Sequence, residues 1–593
     1  MKSKAAAIRA AAKPDMQVTN MNNQQLKKLK DTLWANADQL RANSGLKASE
    51  YAEPILGLIF LRFASCKYAR YEAEIVAEYQ KIKGTRMERS IRDIAVEKCG
   101  YYLPDKAKYD YLLSLPESEN LPQKIKDAMT ALEKDTPQLA DSLPKDIYYK
   151  VNTQDNPLVL VKLLRNFQDI PTDVDLDIFG EIYEYFLGKF ALAEGQGGGE
   201  FFTPSTVVRY MVEVLAPTEG RILDPACGSG GMFVQTARYI ERHKAKGSDI
   251  NLRAYGVEKT AATVRLARMN LVLNNVRGAI TEANSYYRDP YDSFGAFDYV
   301  MANPPFNVDE VELDLVKNQP RFNTYGVPQN KTKSKKKSAG ETVPNANYLW
   351  INLFATSLNE HGRAALVMAN SASDAGNSER DIRIRLIESG RISQMVALPS
   401  NMFSSVTLPA TLWFFNNDRP KKDEILFIDA RSIFTQIDRA HRKFSDEQIK
   451  NLGIITRLYE GNTQAFADLL NEYKASLAAA PEQSDDEDTP PKSYWQSQID
   501  WLNANFPEGK YRDVTGLCKV ATLEGEDGIK DQDYSLNPGR YVGVVIEDDG
   551  MTEEEFKAEM SRLSIELDDL NKESISLARN IAANINDLIQ SEL

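Results

Sequence analysis

Apolar residues recur along this chain at helical spacing in its first part, in strand-length runs through its middle and on a heptad seam at its end. Over residues 21–168 long helical patterns are separated by polar turns, with 51–75 carrying apolar residues at helix-face spacing, which predicts a helical domain. Its aromatic and arginine residues, such as Phe60, Arg62, Phe63 and Tyr68, read as core and solvated face rather than as a nucleic-acid surface. Over residues 171–429 short apolar runs alternate with helical stretches, and the runs centre on Ile222, Tyr255, Ile280, Tyr299, Leu366, Val396 and 412–415. That alternation predicts an α/β fold with a doubly wound, mostly parallel seven-stranded sheet, whose late pair of closely spaced strands suits an antiparallel edge. After Ala430 the chain becomes helical and polar, with an acidic, proline-bounded linker over 481–491. At its end Phe556, Met560, Leu563, Leu567, Leu570, Ser574, Leu577, Ile581, Asn584 and Leu588 alternate at spacings of four and three. This is a heptad seam with two polar interruptions, long enough to want a partner helix and to specify register. An amphipathic helix folded back on its own domain is the alternative. The implied division is a helical domain over 1–170, an α/β domain over 171–430, a helical and linker region over 431–550 and a C-terminal heptad helix over 551–593.

Two turns inside the α/β region carry candidate chemistry. The first is Asp224-Pro225-Ala226-Cys227-Gly228-Ser229-Gly230-Gly231, set between a strand-like run at 221–223 and a helical run at 232–240. Glycines let backbone approach a ligand, and a helix start offers N–H groups to a carboxylate such as the methionine end of S-adenosylmethionine. A second strand-like run ends in Glu258, where an acid takes ribose hydroxyls. Taken alone, this geometry serves NAD or FAD equally well.

The second turn distinguishes them. The run 297–302, broken only by Asp298, leads into Asn303-Pro304-Pro305-Phe306 on the same expected sheet edge. The exocyclic amine of adenine is a poor nucleophile because its lone pair is delocalised into the ring. With its hydrogens held by the Asn303 side-chain oxygen and the Pro304 carbonyl, the nitrogen pyramidalises toward an electrophilic methyl group. The prolines fix φ and remove competing N–H donors, and Phe306 offers a face for a base. A proline-rich turn closing a strand is the plain alternative. The two turns together imply an amino-methylating enzyme that uses S-adenosylmethionine. Cytosine C5 methylation needs a cysteine nucleophile, usually after proline, and Cys66, Cys99, Cys227 and Cys518 all follow other residues. A duplex base reaches such a site only after flipping, at roughly a few kcal/mol. Because the cofactor motif precedes the catalytic one, target recognition falls to later sequence or to another chain.

From 179 to 415 the chain resembles the modification subunit of type I restriction-modification systems, an adenine-N6 DNA methyltransferase. The residues that carry the resemblance are Gly180-Glu181-Ile182-Tyr183-Glu184-Tyr185-Phe186, Gly199-Glu200-Phe201-Phe202-Thr203-Pro204, the two turns, and Asn347-Tyr348-Leu349-Trp350. The resemblance implies that Glu200, Phe201, Phe202, Thr203, Pro204 and Ser205, together with Glu258, also touch the cofactor. It places Asn284 against the cofactor adenine, although Glu282-Ala283-Asn284 departs from the family's usual Gly-Asp or Gly-Asn. It further implies double-stranded DNA as substrate and two such chains on one specificity subunit, with a translocating nuclease subunit joining for restriction. Independently of the family, Thr203 reads as an N-cap and Pro204 as a first helical residue. The glycine run 195–199 before them reads as an inert linker or as a hinge.

Composition sets bounds on this picture. A chain of 593 residues is long enough for several domains with their own cores. No run approaches a membrane span, the basic N-terminus lacks an apolar signal core, and the cysteines and scattered histidines form neither a disulfide frame nor a zinc pattern. A cytoplasmic protein without bound metal is expected. A net charge of −13 disfavours tight DNA binding by the chain alone, since phosphate neutralisation drives that binding. The lysine run at 331–337 is a local positive source, and it also reads as a solvated loop. Three other readings stay open: a self-sufficient DNA methyltransferase whose tail dimerises, a protein glutamine N5-methyltransferase using a related pocket, and a cofactor-binding structural subunit.

Overall fold

The computed structural model describes residues 23–41, 48–116, 118–151, 158–171, 176–194, 203–244, 251–329, 341–403, 409–438, 441–484, 489–544 and 552–591. The helices Asn23–Arg41, Ala48–Ile82, Val159–Gln168 and Leu176–Glu194 pack around one apolar core that includes Ile55, Ile59, Phe63, Leu163, Phe167, Phe179, Ile182 and Phe186. Phe60 and Arg62 are buried here, the guanidinium of Arg62 donating to the Ile170 carbonyl at 2.8 Å. Met269 and Leu273, from the helix Ala261–Leu273, belong to the same core. The helical layer is thereby docked on the α/β part through that helix.

The sheet is made of β1 (Gly220–Asp224), β2 (Leu252–Glu258), β3 (Gly278–Glu282), β4 (Phe297–Ala302), β5 (Leu358–Ala369), β6 (Ile392–Ala397), β7 (Ala410–Asn416) and β8 (Glu424–Asp429), with a last strand from much later in the chain. Between them β9 (Thr435–Gln436) and β10 (Arg442–Lys443) form a separate ribbon, and β11 (Cys518–Thr522) completes the large sheet. Nine strands lie in the order β11-β8-β6-β7-β5-β4-β1-β2-β3, two more than the seven read from the sequence. All neighbouring pairs are parallel except those made by β7 and β11.

The antiparallel strand is not at the edge expected for it: β7 sits between β5 and β6. Every residue of β7 is buried, which suits an interior place, while the edge falls to β11 with its partly exposed residues. Alternate side chains divide between two apolar layers. Ile222, Leu412 and Phe414 face the helices Ser205–Leu215, Gly231–His243 and Asp446–Tyr459; Leu223, Trp413 and Phe415 face Asn347–Ser357 and Asn377–Glu388. The chain runs from β1 outward through β2 and β3, then returns to β4 on the other side of β1. This reversal opens a crevice at the carboxyl ends of β1 and β4, where open α/β sheets bind ligands.

Residues 543–593 form a separate unit. Its helix Glu553–Ser591 covers 39 residues, about 58 Å at 1.5 Å per residue. The seam positions Phe556, Met560, Leu563, Leu567, Leu570, Leu577 and Ile581 are solvent-exposed, between 44% and 61%. Among the described residues no helix is long and apolar enough to cross a membrane.

Candidate active site

At the end of β1, Asp224 is buried, and its Oδ1 accepts the Ala226 N–H at 3.0 Å. Burial raises its carboxyl well above the usual carboxylate range, the Ala226 bond opposes this and the nearby Glu258 charge adds to it. The turn that follows needs left-handed backbone at Gly228 (φ 49°) and Gly230 (φ 82°), a conformation glycine adopts without strain. Gly230 then caps the helix Gly231–His243. A Cβ added at Gly228 or Gly231 would meet nothing within 4 Å, so an open cradle lies over the turn. Beneath it the packing is tight: a Cβ on Gly256 would fall 2.5 Å from Ile280 and 2.8 Å from the Cys227 sulfur. Cys227 is a buried thiol pushed up by burial, which makes it packing rather than a nucleophile.

The adjoining strand ends are tied to this turn. Glu258 accepts the Gly228 N–H on Oε2 at 3.2 Å and the Thr260 N–H on Oε1 at 2.9 Å. Ala283 donates its N–H to the Glu258 carbonyl at 2.9 Å, drawing the end of β3 alongside. Ser285, absent from the sequence reading, donates its hydroxyl to the Pro225 carbonyl at 2.5 Å. The half-buried Asn284 accepts the Tyr286 N–H at 3.1 Å, so its side chain is fixed at the rim of the crevice by its oxygen.

At the end of β4, Asn303 donates from Nδ2 to the Thr203 hydroxyl at 3.0 Å. This joins two segments one hundred positions apart and holds the amide by its nitrogen. It also corrects the local reading of Thr203. The helix is Ser205–Leu215 with Pro204, not Thr203, at its cap. The Pro204 carbonyl accepts the Val207 and Val208 N–H groups, leaving the Thr203 hydroxyl to orient Asn303. Pro304 is buried and Phe306 half-buried against both apolar layers.

The loop beyond Phe306 is held by asparagines. Asn307 takes left-handed backbone (φ 57°), tolerable for asparagine, and its N–H donates to the Asn347 side-chain oxygen at 2.9 Å. Asn347 and Asn345 both donate to the Asn307 side-chain oxygen, at 3.0 and 3.1 Å, and the Asn345 side chain accepts the Asn347 N–H at 2.8 Å. Besides Ser285, the residues missed are thus Asn307 and Asn345. Asparagine directly after the proline turn and an Asn-x-Asn before a helix were the available signals. Glu200, Phe201, Phe202, the glycine run 195–199 and the lysine run 331–337 lie outside the described residues.

A sequence profile described as N-6 DNA Methylase matches residues 174–549, and one described as HsdM N-terminal domain matches 29–167. The chain is 33% identical to the type I restriction enzyme MjaIX methylase subunit of Methanocaldococcus jannaschii over 93% of its own length and 89% of that protein's. It is 32% identical to the HindI methylase subunit of Haemophilus influenzae, over 84% of this chain and 98% of the other. The crystal structure of a type I restriction-modification methyltransferase subunit from Streptococcus thermophilus superposes with a TM-score of 0.64 at 20% identity, covering 87% of this chain and 99% of that one, and so shares the fold. With a profile spanning most of its length and a relative this similar end to end, the chain belongs to the N-6 DNA methylase family, among the methylase subunits of type I restriction enzymes.

Proposed function

We propose that this adenine-N6 DNA methyltransferase binds S-adenosylmethionine in the cradle over Asp224 to Gly231 and presents a flipped-out adenine to it with Asn303 to Phe306. The observation that carries this is the meeting of the two turns at the sheet reversal, with open space over one and an oriented asparagine at the other. The cradle fits that cofactor: the start of the Gly231–His243 helix offers N–H groups to its carboxylate, and Glu258 and Asn284 stand at neighbouring strand ends for ribose and adenine. Thr203, Pro204 and Ser205, with Glu200, Phe201 and Phe202, are assigned there by resemblance. Bound there, S-adenosylmethionine supplies an electrophilic methyl group.

The chain's own residues supply alignment. Thr203 fixes the Asn303 amide, whose oxygen takes one hydrogen of the adenine amine while the Pro304 carbonyl takes the other. Pro305 keeps that carbonyl in place and Phe306 stacks on the base. No general base is required of Asn303, because a nitrogen that has gained a fourth bond sheds its proton to solvent. Catalysis comes from orientation and from hydrogen bonds that strengthen as charge develops.

Sequence specificity belongs, in this reading, to a separate specificity subunit that meets the exposed seam of the Glu553–Ser591 helix, with two of these chains per specificity subunit and a translocating nuclease for restriction. The division into 1–170, 171–430, 431–550 and 551–593 follows the same reading, with 431–550 lending β11 to the catalytic sheet. The test is expression of the chain with and without the specificity subunit encoded beside it, followed by single-molecule mapping of N6-methyladenine in host DNA. Methylation at a two-part site only with both is expected. Methylation by this chain alone would return recognition to its own C-terminal region.

A further inference from the structure

A line of half-buried polar side chains that ends on the fully buried Asn270 runs from the helical layer to the glycine turn and has no part in the mechanism above. It begins at Glu184 on the helix Leu176–Glu194, which accepts from Gln235 at 3.3 Å and from Arg238 at 3.3 Å. Arg238 also donates to the Asn274 side-chain oxygen at 3.1 Å. Asn274 donates to Oδ1 of Asn270 at 3.0 Å, and Asn270, fully buried, donates from Nδ2 to the Ser229 carbonyl at 2.9 Å. Ser229 lies between the two left-handed glycines of the cradle.

The surroundings leave little slack at either end. A Cβ on Gly180 would fall 2.5 Å from the Asn274 oxygen and 2.8 Å from the Arg238 guanidinium, so the Leu176–Glu194 helix lies directly on these two side chains. A Cβ on Gly230 would stand 3.0 Å from Leu271, so the Ala261–Leu273 helix lies directly on the turn. The same helix carries Arg265, paired with Glu53 at 2.9 Å, and the Leu266 carbonyl, which accepts the Tyr183 hydroxyl at 3.3 Å. Both partners belong to the helical layer. In a linked polar chain with a buried end each bond orients the next, so displacing one end is felt at the other.

We propose that Asn270 is the positioning residue of the cofactor turn and that Glu184, acting through Arg238 and Asn274, holds it in place, so that docking of the helical layer tunes affinity for S-adenosylmethionine. This rests on the reading of the turn as the cofactor site. The geometry gives Asn270 one donor task, gripping the Ser229 carbonyl, and one acceptor task, receiving Asn274. Asn270→Asp keeps shape and acceptor but sets a carboxylate oxygen against that carbonyl. Glu184→Gln removes the charge that faces Arg238, on a helix outside the glycine turn.

The experiment is calorimetric titration of the full-length chain with S-adenosylmethionine for wild type, N270D, E184Q and the double variant, with turnover of the DNA-bound complex measured at saturating cofactor. N270D is expected to weaken binding roughly tenfold or more, the worth of one buried hydrogen bond turned repulsive. E184Q is expected to weaken it by a smaller factor of about three. With the coupling routed through Asn270, the double variant should bind as N270D does, and turnover of E184Q at saturating cofactor should stay at the wild-type level. Binding by N270D within twofold of wild type, or factors that multiply in the double variant, would overturn the proposal. If N270D does not fold, E184Q alone decides: unchanged affinity sinks the coupling. A wild-type chain that binds no S-adenosylmethionine would instead remove the cofactor reading beneath it.

Discussion

At the end of β1 the site is made of backbone, whereas at the end of β4 it is made of side chains. The glycine turn owes its shape to the left-handed glycines Gly228 and Gly230, to N–H groups and to the empty space where a Cβ would stand at Gly228 and Gly231. The asparagine turn owes its shape to Asn303 held by Thr203, and to Asn307 held by Asn345 and Asn347. The difference teaches how each can be damaged. The glycine turn is damaged directly by added volume or strain and only indirectly through side-chain supports such as Glu258 and Asn270, whereas the asparagine turn fails when one of its own hydrogen-bonding atoms is taken away.

The largest expected effect is at the asparagine turn. Asn303→Ala should lower kcat by about 10²–10³-fold or more, the loss typical of an oriented transition-state hydrogen bond. Calorimetry should find cofactor affinity kept, because no backbone of the glycine turn is touched. Loss of cofactor binding would break the division between the turns. The converse substitution is Gly228→Val. It adds a branched side chain at φ 49°, where nothing stands within 4 Å to clash but the cradle is filled. Folding should survive, and cofactor affinity should fall roughly tenfold or more.

The same contrast explains what could be read from the sequence. Seven strands, the glycine turn and the Asn-Pro-Pro-Phe turn were legible because each is written in consecutive residues: apolar runs of strand length, glycines before a helix, prolines after a strand. β11 was not, because it pairs Cys518 with Ile428 and nothing local announces such a partner; β8 was passed over although Glu424–Asp429 is an apolar run of the same kind. The interior place of β7 was hidden for the same reason, since strand order is a property of pairing and not of pattern. Thr203 was misread as a cap because local propensity favours it there, and its hydroxyl is instead taken by Asn303, a tertiary contact. Asn345 and Asn347 reach back to Asn307 across the catalytic loop, and only folding shows that they brace one another.

Bracing of this kind predicts an intermediate effect. Asn347 is almost fully buried and serves Asn307 twice, accepting its N–H and donating to its side chain. Asn347→Ala leaves the Asn307 N–H without its acceptor and lets the loop after Phe306 shift. A small misplacement of aligned groups is costly to rate, so kcat should fall by roughly tenfold with the KM for S-adenosylmethionine unchanged. Asn347→Asp, which still accepts from the Asn307 N–H, should recover part of the loss. Equal losses in both variants would mean that the helix start, and not the brace, sets the loop.

The smallest effect concerns Asp224, the one carboxylate built into the backbone-made turn. Burial raises its carboxyl, helped by the charge of Glu258 and opposed by the Ala226 N–H. The unfolded chain gives up this proton near the ordinary aspartate value of 3.8 while the folded chain retains it to higher pH. The contribution of Asp224 to stability is therefore most favourable below that value and declines as pH rises toward the folded pKa. Asp224→Asn keeps an oxygen for the Ala226 N–H and has no proton to lose, so thermal melts without cofactor should show a shallower fall with rising pH than wild type. At neutral pH the variant should melt at the same temperature or a few degrees higher. Parallel melting profiles in the two proteins would mean that Asp224 is solvated at the cradle floor and that its carboxylate carries no burial cost.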